Sequence, residues 1–285
     1  MAEILYGEPV AEALSAGTAA MVERLRARGV TPTLAIVRVG EKAGDLSYER
    51  GAVKRCRAVG IDARVFALPE GASQGKLMSV IASINSDRCI HGCLLLRPLP
   101  GHMDERAACE ALAPEKDVDC VTLSSLCGCF TGEGRGFAPC TARACVEMLD
   151  YYGVGLSGRR AAVLGRSLVI GRPAAMLLLS RDATVTICHS RTPDAAAVCR
   201  EADILIAAVG RARIVDPGYV NKAQTVIDVG VNRAPDGSLC GDVDFERVEP
   251  LVGAITPVPH GVGAVTTAVL CRHVAEAAEG AALRR

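Results

Sequence analysis

The chain has 285 residues, 32 basic and 32 acidic, for a formal net charge of zero; half are hydrophobic, 3% are aromatic and Trp is absent. That is core enough for one large or two modest domains, but too little basic excess for a nucleic-acid binder and too few rings for a single-strand stacking surface. Thirteen cysteines without a C-x-x-C pair, behind an N-terminus with no secretion-signal pattern, read as free thiols of a cytoplasmic protein with no metal centre; no apolar run nears the ~20 residues of a membrane span.

Val10, Leu14, Met21 and Leu25 recur at helical spacing over 10–28, and Gly29 ends that helix. TLAIVRV at 33–39 is a buried strand. Asp45 stands where it would cap a helix running to Val59, with Gly60 as its stop. ARVFAL (63–68) is the next strand, 73–85 a helix and CLLL (93–96) a third strand. In RPLPGH (97–102) two alternate prolines continue neither helix nor sheet. A short helix follows at 104–112. The order β-α-β-α-β implies parallel pairing.

Residues 114–139, rich in Gly, Cys, Ser and Thr and without a period, place a domain boundary. Beyond it come a helix from Thr141 to Tyr152 and strands at 160–164, 183–188, 203–208 and 225–229. The Ala-rich helix 264–280 follows the loop TPVPHGVGA and returns to the first half. The expectation is an α/β protein with two α/β domains around a cleft. Residues 1–138 with 265–285 form one; 139–264 form a second, Rossmann-like domain.

The second domain carries the clearest chemistry. VLGRSLVIG (163–171) is a strand, Gly165, Arg166, Ser167 and then Gly171 opening a helix. Gly165 permits the sharp turn, and the amides near Gly171 start a helix whose N-terminus attracts phosphate. A strand-to-helix turn with glycines for packing alone stays open at this point. The next strand ends in Cys188, His189, Ser190, Arg191 and Thr192. An NAD site has a carboxylate there for the ribose 2′-OH. Arg166, Ser167, Ser190 and Arg191 suit a 2′-phosphate instead, so the expected cofactor is NADP; two ordinary surface arginines are the other reading. Gly210 and Gly230, at the ends of later strands, are expected to let the cofactor approach the backbone, and Asp228 to be structural.

GRSLVIG, TVTICHSRT, ADILIAAVG, VIDVGVNR, GDVDF and ITPVPHGVGAVT, in this order, together with HGCLLLRPLP, PEKDVD and PCTA in the first half, resemble the methylenetetrahydrofolate dehydrogenase/cyclohydrolase (FolD-type) family over nearly the whole chain. The resemblance implies hydride transfer from 5,10-methylenetetrahydrofolate to NADP, then hydrolysis of the methenyl product, in a homodimer formed through the cofactor domain. It implies catalytic roles for Tyr48, stacked on the folate, and Asp119, holding the pterin. Leu96, Pro98, Leu99, Pro259, Gly261 and Val262 are implied to line the substrate. The cofactor contacts become Gly165, Arg166, Ser167, Gly171, His189, Ser190, Arg191, Thr192, Val209, Gly210, Val231 and Thr266.

The departures from that pattern fall on the folate side. The family's Tyr-x-x-x-Lys reads Tyr48-Glu49-Arg50-Gly51-Ala52 here, and the glutamine of Gln-Leu-Pro-Leu-Pro is Leu96. Lys54, six residues after Tyr48, projects about 120° away round a helix. Arg97, one residue after Leu96, faces the other way on an extended segment. His260 replaces a glycine. Hydride transfer needs mainly alignment of two rings, whereas water attack needs a tuned acid–base group. The dehydrogenase step is therefore expected and the cyclohydrolase step weakened. An NADP-dependent oxidoreductase with another substrate, and a silent nucleotide-binding paralogue, remain open from sequence.

Overall fold

In chain order the first half forms β1 (Glu3–Ile4), α1 (Gly7–Ala27), β2 (Thr33–Val39), α2 (Ala43–Ala58), β3 (Asp62–Leu68), α3 (Gln74–Ser86), β4 (Gly92–Leu95), α4 (Glu105–Glu110) and α5 (Leu123–Thr131). The second half forms α6 (Cys140–Tyr151), β5 (Arg160–Leu164), α7 (Gly171–Leu179), β6 (Thr184–Cys188), α8 (Ala195–Arg200), β7 (Ile204–Ala207) and β8 (Thr225–Asp228). β9 (Asn232–Arg233), β10 (Leu239–Cys240), α9 (Phe245–Val248), β11 (Ala254–Ile255) and α10 (Val262–Leu283) complete it. This computed structural model describes residues 1–132, 136–234 and 236–284. It divides into unit one, Met1–Glu12 with Thr141–Thr266, and unit two, Ala13–Cys140 with Thr267–Arg285.

Unit two is built on the parallel sheet β3-β2-β4. Every residue of β2 is buried, which is why TLAIVRV is a continuous apolar run rather than an alternation: a central strand is covered on both faces. Ala35, Val37 and Val39 pack with Leu77, Ile81 and Ile84 of α3. β3 is an edge strand and mostly open to solvent.

Lys116 fastens the end of α3. Its Nζ donates to the carbonyls of Ile84 (2.5 Å), Asn85 (3.0 Å) and Asp87 (2.7 Å), so one buried cation satisfies oxygens that a helix C-terminus leaves without partners and favours its negative dipole end. Desolvation holds the Lys116 pKa below its ordinary value.

Unit one holds a six-stranded sheet in the order β1-β11-β8-β7-β5-β6, parallel throughout. β6 lies on one side of β5 and β7 on the other, so the winding reverses at β5. A crevice opens beyond the carboxyl ends of β5 and β7, the place where open α/β sheets hold ligands.

Several expectations are corrected. Residues 1–12, expected with the first domain, belong to unit one: Glu3 and Ile4 pair with Ala254 and Ile255 and complete its sheet, and two residues give too short a pattern to read. Asp45 caps nothing, because α2 begins at Ala43 after Lys42, whose Nζ donates to the Pro98 carbonyl at 2.7 Å. The supposedly irregular segment 114–139 contains a 3-10 turn at Pro114–Lys116 and α5, which Thr122 caps by accepting from Ser125 N at 3.1 Å; residues 133–135 of that segment lie outside the described residues. Among the described residues no helix is long and apolar enough to cross a membrane, and all thirteen cysteines are free thiols.

Replacing Lys116 by Met leaves three carbonyls without their donor. The expected loss is about 2–4 kcal/mol, read as a lower urea midpoint with unchanged slope; an unchanged midpoint would show that the three contacts contribute nothing.

Candidate active site

The crevice of unit one contains a cavity of about 410 Å³. Leu164, Gly165, Arg166 and Ser167 after β5, His189, Ser190 and Thr192 after β6, and Ala208, Val209 and Arg211 after β7 line it with Ala195, Ile214 and Tyr219. Two guanidinium groups and several hydroxyls face this space, and no lining residue is a carboxylate.

Gly165 is required where it stands. Its φ is +129°, and a Cβ there would run into the Ala208 carbonyl, so any side chain would push β5 and β7 apart. Gly171 works by the same closeness: a Cβ would meet the Gly165 carbonyl. The N–H groups of Ile170 and Gly171 are taken by Ser167 Oγ at 3.1 and 3.4 Å, and Arg172 N by the Ser167 carbonyl at 3.0 Å. The expected phosphate contact through amides near Gly171 is thus replaced by an internal cap, and Gly171 does not line the cavity.

Two buried aspartates shape the other wall. Asp242 accepts from Val209 N (2.5 Å), Gly210 N (2.9 Å) and Arg211 N (2.9 Å), and from Asn232 Nδ2 at 2.9 Å. Asp228 accepts from Gly230 N (3.0 Å), Asp242 N (3.0 Å) and Val243 N (2.9 Å). A Cβ on Gly230 would strike the Asp242 carboxylate, and one on Gly241 the Asp228 carboxylate. Gly230 therefore makes room for a side chain, not for a cofactor, and this corrects its expected role. Burial pushes the Asp228 carboxyl up to about 7 against these three hydrogen bonds.

Of the sequence-derived cofactor residues, the cavity gathers Gly165, Arg166, Ser167, His189, Ser190, Thr192 and Val209. Arg191 is exposed and outside the lining; its N–H donates to His189 Nδ1 at 3.2 Å within the turn that His189 N closes on Thr192 Oγ1. Gly210, Val231 and Thr266 are also outside the lining; Val231 is exposed, and Thr266 Oγ1 donates to the Val262 carbonyl. Sequence reading missed Arg211, Tyr219, Ile214 and Asp242. The signal for Asp242 was present: glycines at 230 and 241 mark places where something must touch backbone.

Also in unit one, Pro259 and Gly261 belong to the loop before α10, and Val262 opens that helix. His260 has a φ of +80°, its carbonyl accepts from Gly7 N at 2.7 Å, and its Nδ1 lies 2.7 Å from Glu8 Oε1. A Cβ on Gly261 would strike the Pro257 carbonyl.

In unit two, Tyr48 and Ala52 occupy one face of α2, and Ala52 is fully buried while Lys54 is exposed. Buried Arg38 anchors this stretch: its Nε pairs with Glu49 Oε2 at 2.8 Å and its Nη1 donates to the Gly40 carbonyl. Burial, and then the nearby Asp119 charge, raise the Tyr48 pKa above its ordinary value, so the phenol keeps its proton. Burial also raises the Asp119 carboxyl, while hydrogen bonds from the Cys140 thiol and backbone and the Arg97 charge oppose it; Cys140 N donates to Asp119 Oδ1 at 3.3 Å. Leu96 and Leu99 are buried. The Leu99 amide donates to Glu105 Oε2 at 2.8 Å, and Arg97 Nη1 lies 3.7 Å from Glu105 Oε1.

This is the frame of a dinucleotide-binding α/β protein with a second α/β unit. Residues 139–282 match the NAD(P)-binding domain, and residues 5–119 the catalytic domain, of tetrahydrofolate dehydrogenase/cyclohydrolase; the chain belongs to that family. It is 52% identical over 281 residues, 98% of each chain, to the bifunctional protein FolD of Carboxydothermus hydrogenoformans. The bifunctional FolD of Campylobacter jejuni superposes with a TM-score of 0.95 at 33% identity, over 98% of this chain and 99% of that one. The Trypanosoma brucei enzyme, solved with NADP cofactor and an inhibitor, superposes with a TM-score of 0.92 at 33% identity, over 100% and 99%.

A pH titration tests the buried Asp228. Its folded-state pKa lies above the ordinary 3.8, so between those two values the folded protein holds a proton that the unfolded chain has lost. Stability from this group is greatest below about pH 4, falls as pH rises to about 7, and is flat above, a change of up to about 4 kcal/mol. The unfolding free energy of wild type minus that of Asp228→Asn should therefore shrink from pH 4.5 to 7; a difference independent of pH would contradict it.

Proposed function

We propose that this chain is an NADP-dependent 5,10-methylenetetrahydrofolate dehydrogenase of one-carbon metabolism in which methenyltetrahydrofolate hydrolysis is slow. The observation that carries the cofactor is the carboxylate-free cavity lined by Arg166 and Arg211 at the turn of the winding. A 2′-phosphate gains charge-assisted hydrogen bonds from two guanidiniums and Ser190, and would be repelled by the acidic residue of an NAD site. The Gly165 turn fits the same ligand, since it keeps backbone free of side chain at the cavity wall. When bound, NADP supplies the hydride acceptor.

The chain's own residues bind and orient. Asp119 accepts from the pterin amide and amino groups, a task suited to a carboxylate with two oxygens. Tyr48, held protonated, stacks on the folate. Leu96, Pro98 and Leu99 form an apolar rim that Lys42 and Glu105 fix through the Pro98 carbonyl and the Leu99 amide. Pro259, Gly261 and Val262 contribute the loop before α10 and its first residue. Hydride transfer would need mainly alignment of the two rings, which these residues would supply by binding and orienting.

Hydrolysis of the methenyl cation needs a group that takes a proton from the attacking water. Ala52 and Leu96 are buried and apolar where the family places its lysine and glutamine, and Lys54 is exposed. The thirteen reduced thiols support a cytoplasmic enzyme. Exposed Val231 and Leu239 at the β9–β10 hairpin support a homodimer through unit one.

The test is a pair of spectroscopic assays. Wild type should form NADPH from methylenetetrahydrofolate, and Ala52→Lys with Leu96→Gln should raise methenyl hydrolysis about a hundredfold, the lower end of a general acid–base gain. No NADPH formation would reject the dehydrogenase, and a wild-type hydrolysis rate that the double substitution leaves unchanged would reject the assignment of the slow step.

A further inference from the structure

Unit two contains a second cavity, of about 520 Å³, lined by Asn85, Arg88, Ile90, His91, Glu115, Lys116, Ala277, Ala281 and Arg284. It lies at the amino end of the sheet, where His91 N, just before β4, donates to the carbonyl of Thr33, the first residue of β2. Leu96 and the substrate loop follow the opposite, carboxyl end of β4.

Its charges are unbalanced. Arg88, Arg284 and Lys116 are cations, and Glu115 is the one carboxylate among the lining residues. The neighbouring Asp87 is already paired with Arg64 at 2.9 Å. Lys116 has spent its donors on three carbonyls; Asp87 and Glu115 act on its charge only through space. Arg88 and Arg284 are exposed and make no hydrogen bond or ion pair among the described residues. Ile90, Ala277 and Ala281 supply an apolar wall. The wall is fixed before any ligand arrives, because Lys116 ties the 3-10 turn to α3, and Asn85 bonds the Ala111 carbonyl at 2.7 Å and Ala113 N at 2.9 Å.

We propose that this cavity binds a small phosphate-bearing anion, with Arg88 and Arg284 as its clamp. Guanidinium forks match phosphate oxygens bidentately, the buried Lys116 adds a fixed positive field, and the apolar wall has room for an organic body attached to the phosphate. The site shares no residue with the nucleotide cavity of unit one.

Calorimetry on the full chain, saturated with NADP so that the first cavity is filled, tests this with two probes, inorganic pyrophosphate and AMP. At least one should bind with a Kd below about 1 mM. Arg88→Glu with Arg284→Glu should weaken binding at least tenfold while the NADP affinity, which also reports folding, is unchanged; Arg88→Gln alone should weaken it severalfold. AMP binding more tightly than pyrophosphate would assign an organic phosphate, and the reverse order a free one. No binding of either probe, or equal binding by wild type and both variants, would overturn the proposal. If NADP itself fails to bind, the cofactor reading fails separately, and the comparison of wild type with the arginine variants still decides this site.

Discussion

The carboxylates of Asp228 and Asp242, stacked beyond the carboxyl ends of β7 and β8, each accept three backbone N–H groups. Without these acceptors the amides of residues 209–211, 230, 242 and 243 would lose their hydrogen-bond partners. Asp228 fixes the segment carrying Asp242, and Asp242 then fixes residues 209–211, of which Val209 and Arg211 line the nucleotide cavity. Glycine at 230 and 241 is the condition for both approaches, since a Cβ at either would occupy the space of a carboxylate. The cavity is thereby set by protein–protein hydrogen bonds before a cofactor arrives, which lowers the ordering cost of binding.

The same logic of buried charge met by backbone recurs in unit two, where Lys116 holds the end of α3 and Asp117 accepts from Val121 N, Thr122 N and Thr122 Oγ1. Asp119, two residues on, is different. It meets the Cys140 thiol and amide and the Tyr48 region rather than a full set of donors. In the run Lys116-Asp117-Val118-Asp119 the first two charged groups build the loop, and the third accepts only from Cys140. The Tyr48 phenol is held protonated by burial and then by the charges of Asp119, Cys140 and Cys271.

The sequence carried most of this architecture because strands such as 33–39 and 160–164 are apolar runs closed by turns, and the glycine at 165 sits at a strand end. It concealed what depends on pairing across long separations. β1 is two residues long and becomes a strand only by meeting β11. α5 lies in a stretch whose Cys, Ser and Gly hide its Thr122 cap. On the site, glycine positions were legible but not their reasons: Gly171 and Gly230 accommodate protein atoms, not ligand. Arg211 was missed because nothing local distinguishes it from a surface arginine until Asp242 fixes the turn that bears it. Arg191 was chosen for its place in His-Ser-Arg-Thr, yet the turn bonded between His189 and Thr192 leaves its side chain outside the lining.

The central claim is that unit one selects NADP through Arg166 and Arg211 in a cavity without a carboxylate. Calorimetric titration with NADP and with NAD tests it directly, in the wild type and in Arg166→Gln with Arg211→Gln. Charge-assisted hydrogen bonds of roughly 1.5–3 kcal/mol each predict NADP at least tenfold tighter than NAD in the wild type, and most of that ratio lost in the double variant. Equal affinity for the two dinucleotides, or a preference for NADP that survives both substitutions, would contradict it.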